Sequence, residues 1–416
     1  MSPVLNTRAS LSRVLSVGLT AVVLLGHLVA PADAGARGRG TDLVDGRTAS
    51  ARSISVSVLP SVDVKAGLLS DSDGRVIWAR DPDARRAMAS ITKIMTAVVA
   101  IEHSKLTETV TISQVAQSVG ESTAYLTAGE KLSMRDVLAA MLVKSGNDAA
   151  TAVAIHVGGT QDRFVAMMNA KARELGMDGT SFRNPHGLDA RGHYSTASDL
   201  STLARYAMGN AEFRRIVGMR KVTVGTRRRR HTFRSTDLLL GSYRGALGVK
   251  TGNTDRAGYS VVSAAQRDGI TLYAVVLGCV SDSQRFHDAK ELLDWGFAHY
   301  RPQDLASADT IVGAAPVSDY LDTSVPAAIS RDATAAVLDL NGSIRRTATI
   351  APVRAPVKKG DRVGSVTFTQ AGRLIAGMPL VAAREVGAPN PFERVWIGLV
   401  RGWRAVFGPD PAVGEQ

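Results

Sequence analysis

The feature that most limits what this sequence can fold into is an apolar helical run, Ile91 to Ile101, with a serine and a lysine at its start. Ser90 and Lys93 stand three residues apart, which places both side chains on one face of a helix. Burial would disfavour the charged form of Lys93, and an uncharged lysine can take the proton of a serine hydroxyl. The segment therefore predicts a serine nucleophile with its base. The alternative is an N-capping serine beside a solvated lysine.

A second candidate segment stands at the end of another predicted helix. Ser133 is a good N-cap, and an apolar stripe at helical spacing follows it. The stripe stops at Ser145-Gly146-Asn147, where the glycine permits a sharp turn and lets the two polar side chains point to one place. A hydroxyl there could relay a proton to a leaving amine, and an amide could orient a lysine. Alone, the segment is equally typical of an ordinary turn.

A third segment begins a predicted pair of antiparallel strands. Lys250 would supply a fixed positive charge for a carboxylate, and Thr251 would add a hydroxyl donor. Gly252 lacks the side chain that would keep an extended substrate away from the strand. Asn253 follows directly. The segment predicts a binding strand at the edge of a cleft.

A turn-rich loop between the second and third segments holds two further candidates. His186 is a candidate base for hydrolysis, and Asp189 is a candidate for orienting it. The alternative for both is a role as loop hydrogen bonders, because loop Asp and His commonly bond their own backbone.

The order of the three segments is more specific than any one of them. Ser-x-x-Lys, Ser-x-Asn and Lys-Thr-Gly occur in the order found in class A β-lactamases and penicillin-binding proteins. From Val64 to about Tyr300 the chain resembles the low-molecular-mass penicillin-binding proteins of the D-alanyl-D-alanine carboxypeptidase family. The resemblance implies an α+β fold, with an antiparallel sheet flanked by helices and a helical subdomain, as in β-lactamases and transpeptidases.

The resemblance also implies an activity and residue roles. Such enzymes remove the terminal D-alanine from peptidoglycan stem peptides through a serine acyl-enzyme, need no cofactor or metal, and are trapped covalently by β-lactam antibiotics. The implied roles are nucleophile for Ser90, base for Lys93, proton relay and orientation for Ser145 and Asn147, and carboxylate binding for Lys250, Thr251 and Gly252. The backbone N–H groups of Ser90 and Asn253 would form the oxyanion hole. Met88, Asn253 and Ser235-Thr236-Asp237 depart from the residues usual in the family.

Composition bears on location and partners. Residues 1–34 have a basic opening, an apolar core and small residues at Ala32-Asp33-Ala34, which predicts a signal peptide and an exported protein. The net charge of +12 favours anionic surfaces, but few aromatic residues accompany it, so nucleic acid is not an expected partner. Residues 35–61, rich in Gly, Ser and Arg, predict a flexible lead-in to a catalytic domain over 62–300.

The remainder of the chain predicts three parts. Residues 301–318 are rich in Pro, Ala and Asp and predict a linker, and 319–388 alternate in short runs typical of a small antiparallel β domain. Residues 389–408 carry apolar and aromatic side chains at helical spacing, interrupted by arginines. This predicts an amphipathic helix lying on a membrane surface. The alternative is a helix packed on the β domain.

Two other functions compete with the carboxypeptidase. A β-lactamase shares the three segments, although the second domain, the C-terminal helix, Gly146 in place of Asp and the lack of a recognisable Glu-containing loop speak against it. A catalytically silent wall-binding scaffold would keep the fold without the chemistry.

Overall fold

The structure is a computed structural model that describes residues 41–225 and 229–408. The predicted signal peptide, residues 1–34, lies outside the described residues, as do residues 35–40 of the predicted lead-in. The strands are β1 (Asp42–Val44), β2 (Arg47–Thr48), β3 (Ala66–Asp71), β4 (Val76–Arg80), β5 (Thr109–Thr111), β6 (Lys131–Ser133), β7 (Lys221–Gly225), β8 (Arg230–Arg234), β9 (Ala246–Thr254), β10 (Gly258–Arg267), β11 (Ile270–Cys279), β12 (Tyr300–Ala306), β13 (Ile311–Pro316), β14 (Ser324–Ile329), β15 (Ala333–Leu338), β16 (Ile344–Ile350), β17 (Arg362–Gln370) and β18 (Arg373–Ala382).

Several of the helices begin where polar side chains cap them. Ser133, Thr160 and Thr196 each accept a hydrogen bond from a backbone N–H in the first turn, as predicted from the sequence for Ser133. The α-helices are α1 (Lys93–His103), α2 (Gln114–Gln117), α3 (Met134–Val143), α4 (Asn147–Gly158), α5 (Gln161–Glu174), α6 (Ala197–Gly209), α7 (Ala211–Val217), α8 (Asp282–His299) and α9 (Pro391–Phe407).

A seven-stranded antiparallel sheet forms the centre of the first part, in the order β2-β1-β4-β3-β11-β10-β9. Successive residues of its strands face opposite sides, as the alternation of a strand requires. Leu68 and Val275 belong to the large core shared with α1 and the helical subdomain, whereas Leu69 and Val276 belong to the core beneath α8. Both faces are therefore buried, which explains the nearly continuous apolar runs in these strands. The edge strand β9 lies against the 3-10 turn Ala89–Thr92, which leads into α1.

The prediction of a flexible lead-in was wrong for the part of it that the structure describes. Leu43 pairs with Ala79, so β1 adds a strand to the central sheet beside β4. Arg80 forms an ion pair with Asp42 at 2.7 Å, and Arg75 forms one with Asp45 at 2.9 Å. The content of glycine, serine and arginine suggested flexibility, but these partners lie in a later hairpin that local composition does not reveal.

The prediction of a linker over 301–318 was also wrong. β12 pairs with β15, placing Tyr300 opposite Leu338, and β13 pairs with β14. Pro302 lies in a two-stranded sheet, where an unpaired outer side tolerates the missing N–H. The β domain therefore begins as α8 ends, with a five-stranded antiparallel sheet in the order β13-β14-β18-β17-β16 around its own apolar core.

Candidate active site

The side-chain nitrogen of Lys93 is surrounded by three hydrogen-bond partners. Nζ lies 2.7 Å from Ser90 Oγ, 2.7 Å from Asn147 Oδ1 and 2.7 Å from the backbone oxygen of His186. The amide and carbonyl oxygens can only accept hydrogen bonds. An uncharged Lys93 amine would therefore give its two N–H groups to them and turn its lone pair to the Ser90 hydroxyl. In that form the nitrogen can accept the Ser90 proton.

The surroundings of Lys93 favour this uncharged form. The side chain is fully buried. Burial, followed by the positive charge of Lys250, lowers the pKa of Lys93 well below its ordinary value. Ser90 lies in the 3-10 turn rather than in α1 itself. Its side chain nevertheless lies beside that of Lys93, as the three-residue spacing predicts.

Ser145 and Lys250 form the second polar contact of the site. Ser145 lies in the turn between α3 and α4 with a φ of +68°, in the left-handed region. Its Oγ accepts a hydrogen bond of 2.9 Å from Lys250 Nζ, which also donates to the backbone oxygen of Thr251 at 2.9 Å. Burial, followed by the charge of Arg285, lowers the pKa of Lys250 to about 7.

Gly252 allows close contact between β9 and the turn that holds Ser90, a role that the sequence analysis did not predict. A Cβ at this position would lie 2.9 Å from the backbone oxygen of Met88 and 3.1 Å from the Ser90 nitrogen. The absence of a side chain thus lets β9 lie directly against the turn that holds Ser90. A larger residue would push the strand away from that turn.

The cleft between β9 and the helical subdomain has a volume of about 290 Å³. Its lining includes five predicted site residues and four residues that the sequence analysis did not assign to the site. The lining residues are Ser90, Glu121, Ser122, Ser145, Thr236, Thr251, Gly252, Asn253 and Arg285.

Two of the cleft residues that the sequence analysis did not predict form hydrogen bonds with β9. Thr236 Oγ1 lies 2.7 Å from Thr251 Oγ1, and Arg285 donates a hydrogen bond of 2.9 Å to the backbone oxygen of Gly252. Thr236 belongs to the segment noted as a departure from the family, which was the available signal. Arg285 stands in α8, far along the chain, and no local pattern distinguishes it.

His186 and Asp189 act as loop hydrogen bonders. His186 Nδ1 accepts from the backbone N–H of Leu188 at 3.2 Å, and Asp189 accepts from Thr254 Oγ1 at 2.9 Å. Neither residue lines the cleft. Burial lowers the pKa of His186 to about 3, so its ring is neutral. It is the backbone oxygen of His186 that reaches Lys93.

A buried histidine supports the 3-10 turn that contains Ser90. The backbone N–H of Arg183 donates to His193 Nδ1 at 3.0 Å, so the ring proton sits on Nε2 and points to Thr92 Oγ1 at 2.8 Å. The Thr92 hydroxyl then donates to the Ala89 oxygen at 2.8 Å. This chain of bonds holds Ala89 at a φ of +49°, a conformation unusual for a residue with a side chain.

Comparison with known proteins identifies the family of both parts of the chain. Residues 54–281 match the family described as D-alanyl-D-alanine carboxypeptidase, and residues 300–388 match the family described as penicillin-binding protein 5, C-terminal domain. The chain is 32% identical over 364 residues to the D-alanyl-D-alanine carboxypeptidase DacC of Escherichia coli K12, covering 84% of this chain and 90% of DacC. It is 31% identical to DacF of Bacillus subtilis 168, covering 78% and 85% of the two chains.

Solved structures share the fold. DacD of Francisella tularensis superposes with a TM-score of 0.61 at 27% identity, covering 80% of this chain and 97% of that one. Penicillin-binding protein 5 of Haemophilus influenzae superposes with a TM-score of 0.59 at 28% identity, covering 79% and 99%. With its three short motifs, its α+β architecture and these matches, the chain belongs to the D-alanyl-D-alanine carboxypeptidase family of serine peptidases.

Proposed function

We propose that this protein removes the terminal D-alanine from peptidoglycan stem peptides, with Ser90 as the nucleophile. The observation that carries the assignment of Ser90 is its 2.7 Å contact with the buried Lys93 nitrogen, whose other two partners can only accept. Family membership supports the carboxypeptidase over the β-lactamase and over the silent scaffold.

The residues of the site can have the following roles in the reaction. Lys93 takes the proton of Ser90 as Oγ attacks the carbonyl carbon of the penultimate residue. The N–H groups of Ser90 and Asn253 stabilise the oxyanion. Collapse of the tetrahedral intermediate breaks the peptide bond, and the proton reaches the leaving amine through Ser145. Water then attacks the ester, which releases the shortened peptide and restores the Ser90 hydroxyl.

The cationic side of the cleft suits a substrate with a terminal carboxylate. Lys250 Nζ is fixed by Ser145 and by the Thr251 oxygen, and Arg285 adds a second positive charge behind β9. A buried cation and a hydroxyl donor are what recognition of a carboxylate requires. β-Lactam antibiotics, which carry a carboxylate beside a strained amide, would occupy the same place and acylate Ser90.

Release of D-alanine from a synthetic stem pentapeptide tests this function. The wild-type protein should release D-alanine, and Ser90→Ala should not. The exposed Ser57→Ala serves as a serine control outside the cleft. Release by Ser90→Ala at the wild-type rate would refute the assignment of Ser90, whereas hydrolysis of penicillin without attack on the peptide would favour the β-lactamase.

We also propose that the protein acts on the outer side of the cytoplasmic membrane and touches the membrane surface through α9. None of the described helices is both long and apolar enough to span a bilayer. Instead, α9 begins with a capping box at Asn390 and leaves a row of large apolar side chains exposed. These side chains are Phe392, Val395, Trp396, Leu399, Trp403, Val406 and Phe407.

The arginine face of α9 turns toward the β domain. Arg401 donates to the backbone oxygen of Tyr320 at 3.2 Å, and Arg404 lies 3.9 Å from Asp322. The apolar face therefore points away from these contacts, which supports interfacial binding over packing of that face on the β domain.

Co-sedimentation with vesicles containing anionic lipid tests the membrane contact. The full chain should bind, and the double variant W396E/W403E should remain in the supernatant. V56E, which alters an exposed apolar residue outside α9, is the matched control and should bind like the wild type. Equal binding by all three proteins would contradict a role for α9.

A further inference from the structure

Glu121 is an unexplained charge at the mouth of the cleft. It is the acidic residue in the lining, whose other ionisable member is the cation Arg285. Its side chain is exposed, and within residues 41–225 and 229–408 it makes neither a hydrogen bond nor an ion pair. A carboxylate in this position is free to form an ion pair with a cationic group of a bound ligand.

The loop that carries Glu121 is held in place by two residues of α4. The Asp148 carboxylate accepts hydrogen bonds from the backbone N–H groups of Ala124 at 2.9 Å and Leu126 at 3.0 Å. Asn147, which also contacts Lys93, donates from its side chain to the oxygen of Gly120 at 3.0 Å. Glu121 itself adopts a φ of +64°. The carboxylate is thus presented by a fixed backbone rather than by a free loop.

The charges of the cleft are divided between its two walls. Lys250 and Arg285 belong to the strand side, where a terminal carboxylate would bind. Glu121 belongs to the helical-subdomain side. A substrate carboxylate is attracted to the first wall and repelled by Glu121. The portion of a bound peptide that can meet Glu121 favourably is therefore on the acyl side of the scissile bond, and it must carry a positive charge.

Building on the proposed function, we infer that Glu121 is a specificity residue that binds a primary amine on the side chain of the residue that precedes the terminal D-alanyl-D-alanine of the substrate. Substrates with this amine free are preferred over those with the amine blocked. Because the pair is partly exposed to solvent, its contribution is about fivefold in kcat/KM, and salt weakens it.

Two synthetic peptides test this inference. Both end in D-alanyl-D-alanine preceded by lysine, and they differ only in whether the lysine side-chain amine is free or acetylated. The quantity measured is the ratio of their kcat/KM values. It should be about five for the wild type, about one for Glu121→Gln, and unchanged for Glu385→Gln, which removes an exposed carboxylate from the β domain.

The other possible results decide either against the role of Glu121 or about the proposed function. A ratio that Glu121→Gln leaves unchanged overturns the inference. An equal loss on both peptides also overturns it, because Glu121 would then act through the charge of Lys93, which it influences. Release of D-alanine from the acetylated peptide by the wild type supports the proposed function, whatever the ratio of the two kcat/KM values. If the wild type releases D-alanine from neither peptide, both the proposed function and the inference are wrong.

Discussion

Lys250 Nζ donates a hydrogen bond of 2.9 Å to Ser145 Oγ, which joins the edge strand β9 to the turn between α3 and α4. The two residues are 105 positions apart, and the bond is buried. It links the wall proposed to bind a carboxylate to the hydroxyl proposed to return a proton to the leaving group.

Lys250→Gln should impair binding of the terminal carboxylate. A charge-assisted hydrogen bond contributes about 1.5–3 kcal/mol, so kcat/KM for a peptide with a free carboxylate should fall about 10- to 100-fold. The matched substrate is the same peptide ending in an amide, which the variant should process with a much smaller loss. An equal loss on both substrates would show that Lys250 is needed for something other than carboxylate recognition.

Lys93→Met keeps the length of the side chain and removes its nitrogen. Loss of a general base should slow acylation by penicillin about 10²- to 10⁴-fold, measured by stopped-flow or quench kinetics. The variant should also be less stable by about 1–3 kcal/mol, because Asn147 Oδ1 and the His186 oxygen lose their buried donor. Acylation at the wild-type rate would exclude Lys93 as the base.

Asp237→Asn should change the pH dependence of activity. The Asp237 side chain is buried, its Oδ1 accepts from the Leu239 N–H at 2.9 Å, and burial raises its pKa to about 6. At neutral pH its negative charge raises the pKa of Lys250, whereas Arg285 lowers it. Removing the carboxylate should therefore shift the alkaline limb of the kcat/KM profile to lower pH. A shift to higher pH, or none, would contradict this coupling.

His193→Asn should make the free energy of unfolding depend less on pH in acid. Burial lowers the pKa of His193 to about 4, below the value of 6.5 for an exposed histidine. Between these values the unfolded chain binds more protons than the folded one, so stability is present above pH 6.5 and is lost as the pH falls toward 4. The wild type should lose up to about 3 kcal/mol more than the variant over this interval, measured by urea unfolding. Parallel losses in the two proteins would mean that His193 protonates freely in the folded state.

The sequence was most informative where chemistry and local structure coincide. The Ser90 and Lys93 spacing and the Ser133 cap each depend on residues within one turn of a helix, and the structure has both as predicted. Lys250 was placed at the start of a strand pair from alternation alone, although β9 in fact begins at Ala246. The family resemblance then predicted that the three segments lie together in one site, which local patterns cannot predict.

What the sequence did not predict depends on distant partners. β1 is a strand because Asp42 and Val44 meet residues of the later β3–β4 hairpin, and β12 is one because it pairs with β15. Arg285 reaches the site from a helix beyond the sheet, and Glu121 reaches it from a loop that Asp148 fixes. None of these contacts leaves a signal in neighbouring residues, since each is created by the tertiary fold.

Mass spectrometry after incubation with penicillin tests the central claim most directly. The account predicts a stable adduct of the intact drug on the peptide that contains Ser90, no adduct on Ser90→Ala, and a strongly slowed adduct on Lys93→Met. An adduct on a different residue, or the same adduct on Ser90→Ala, would contradict the account.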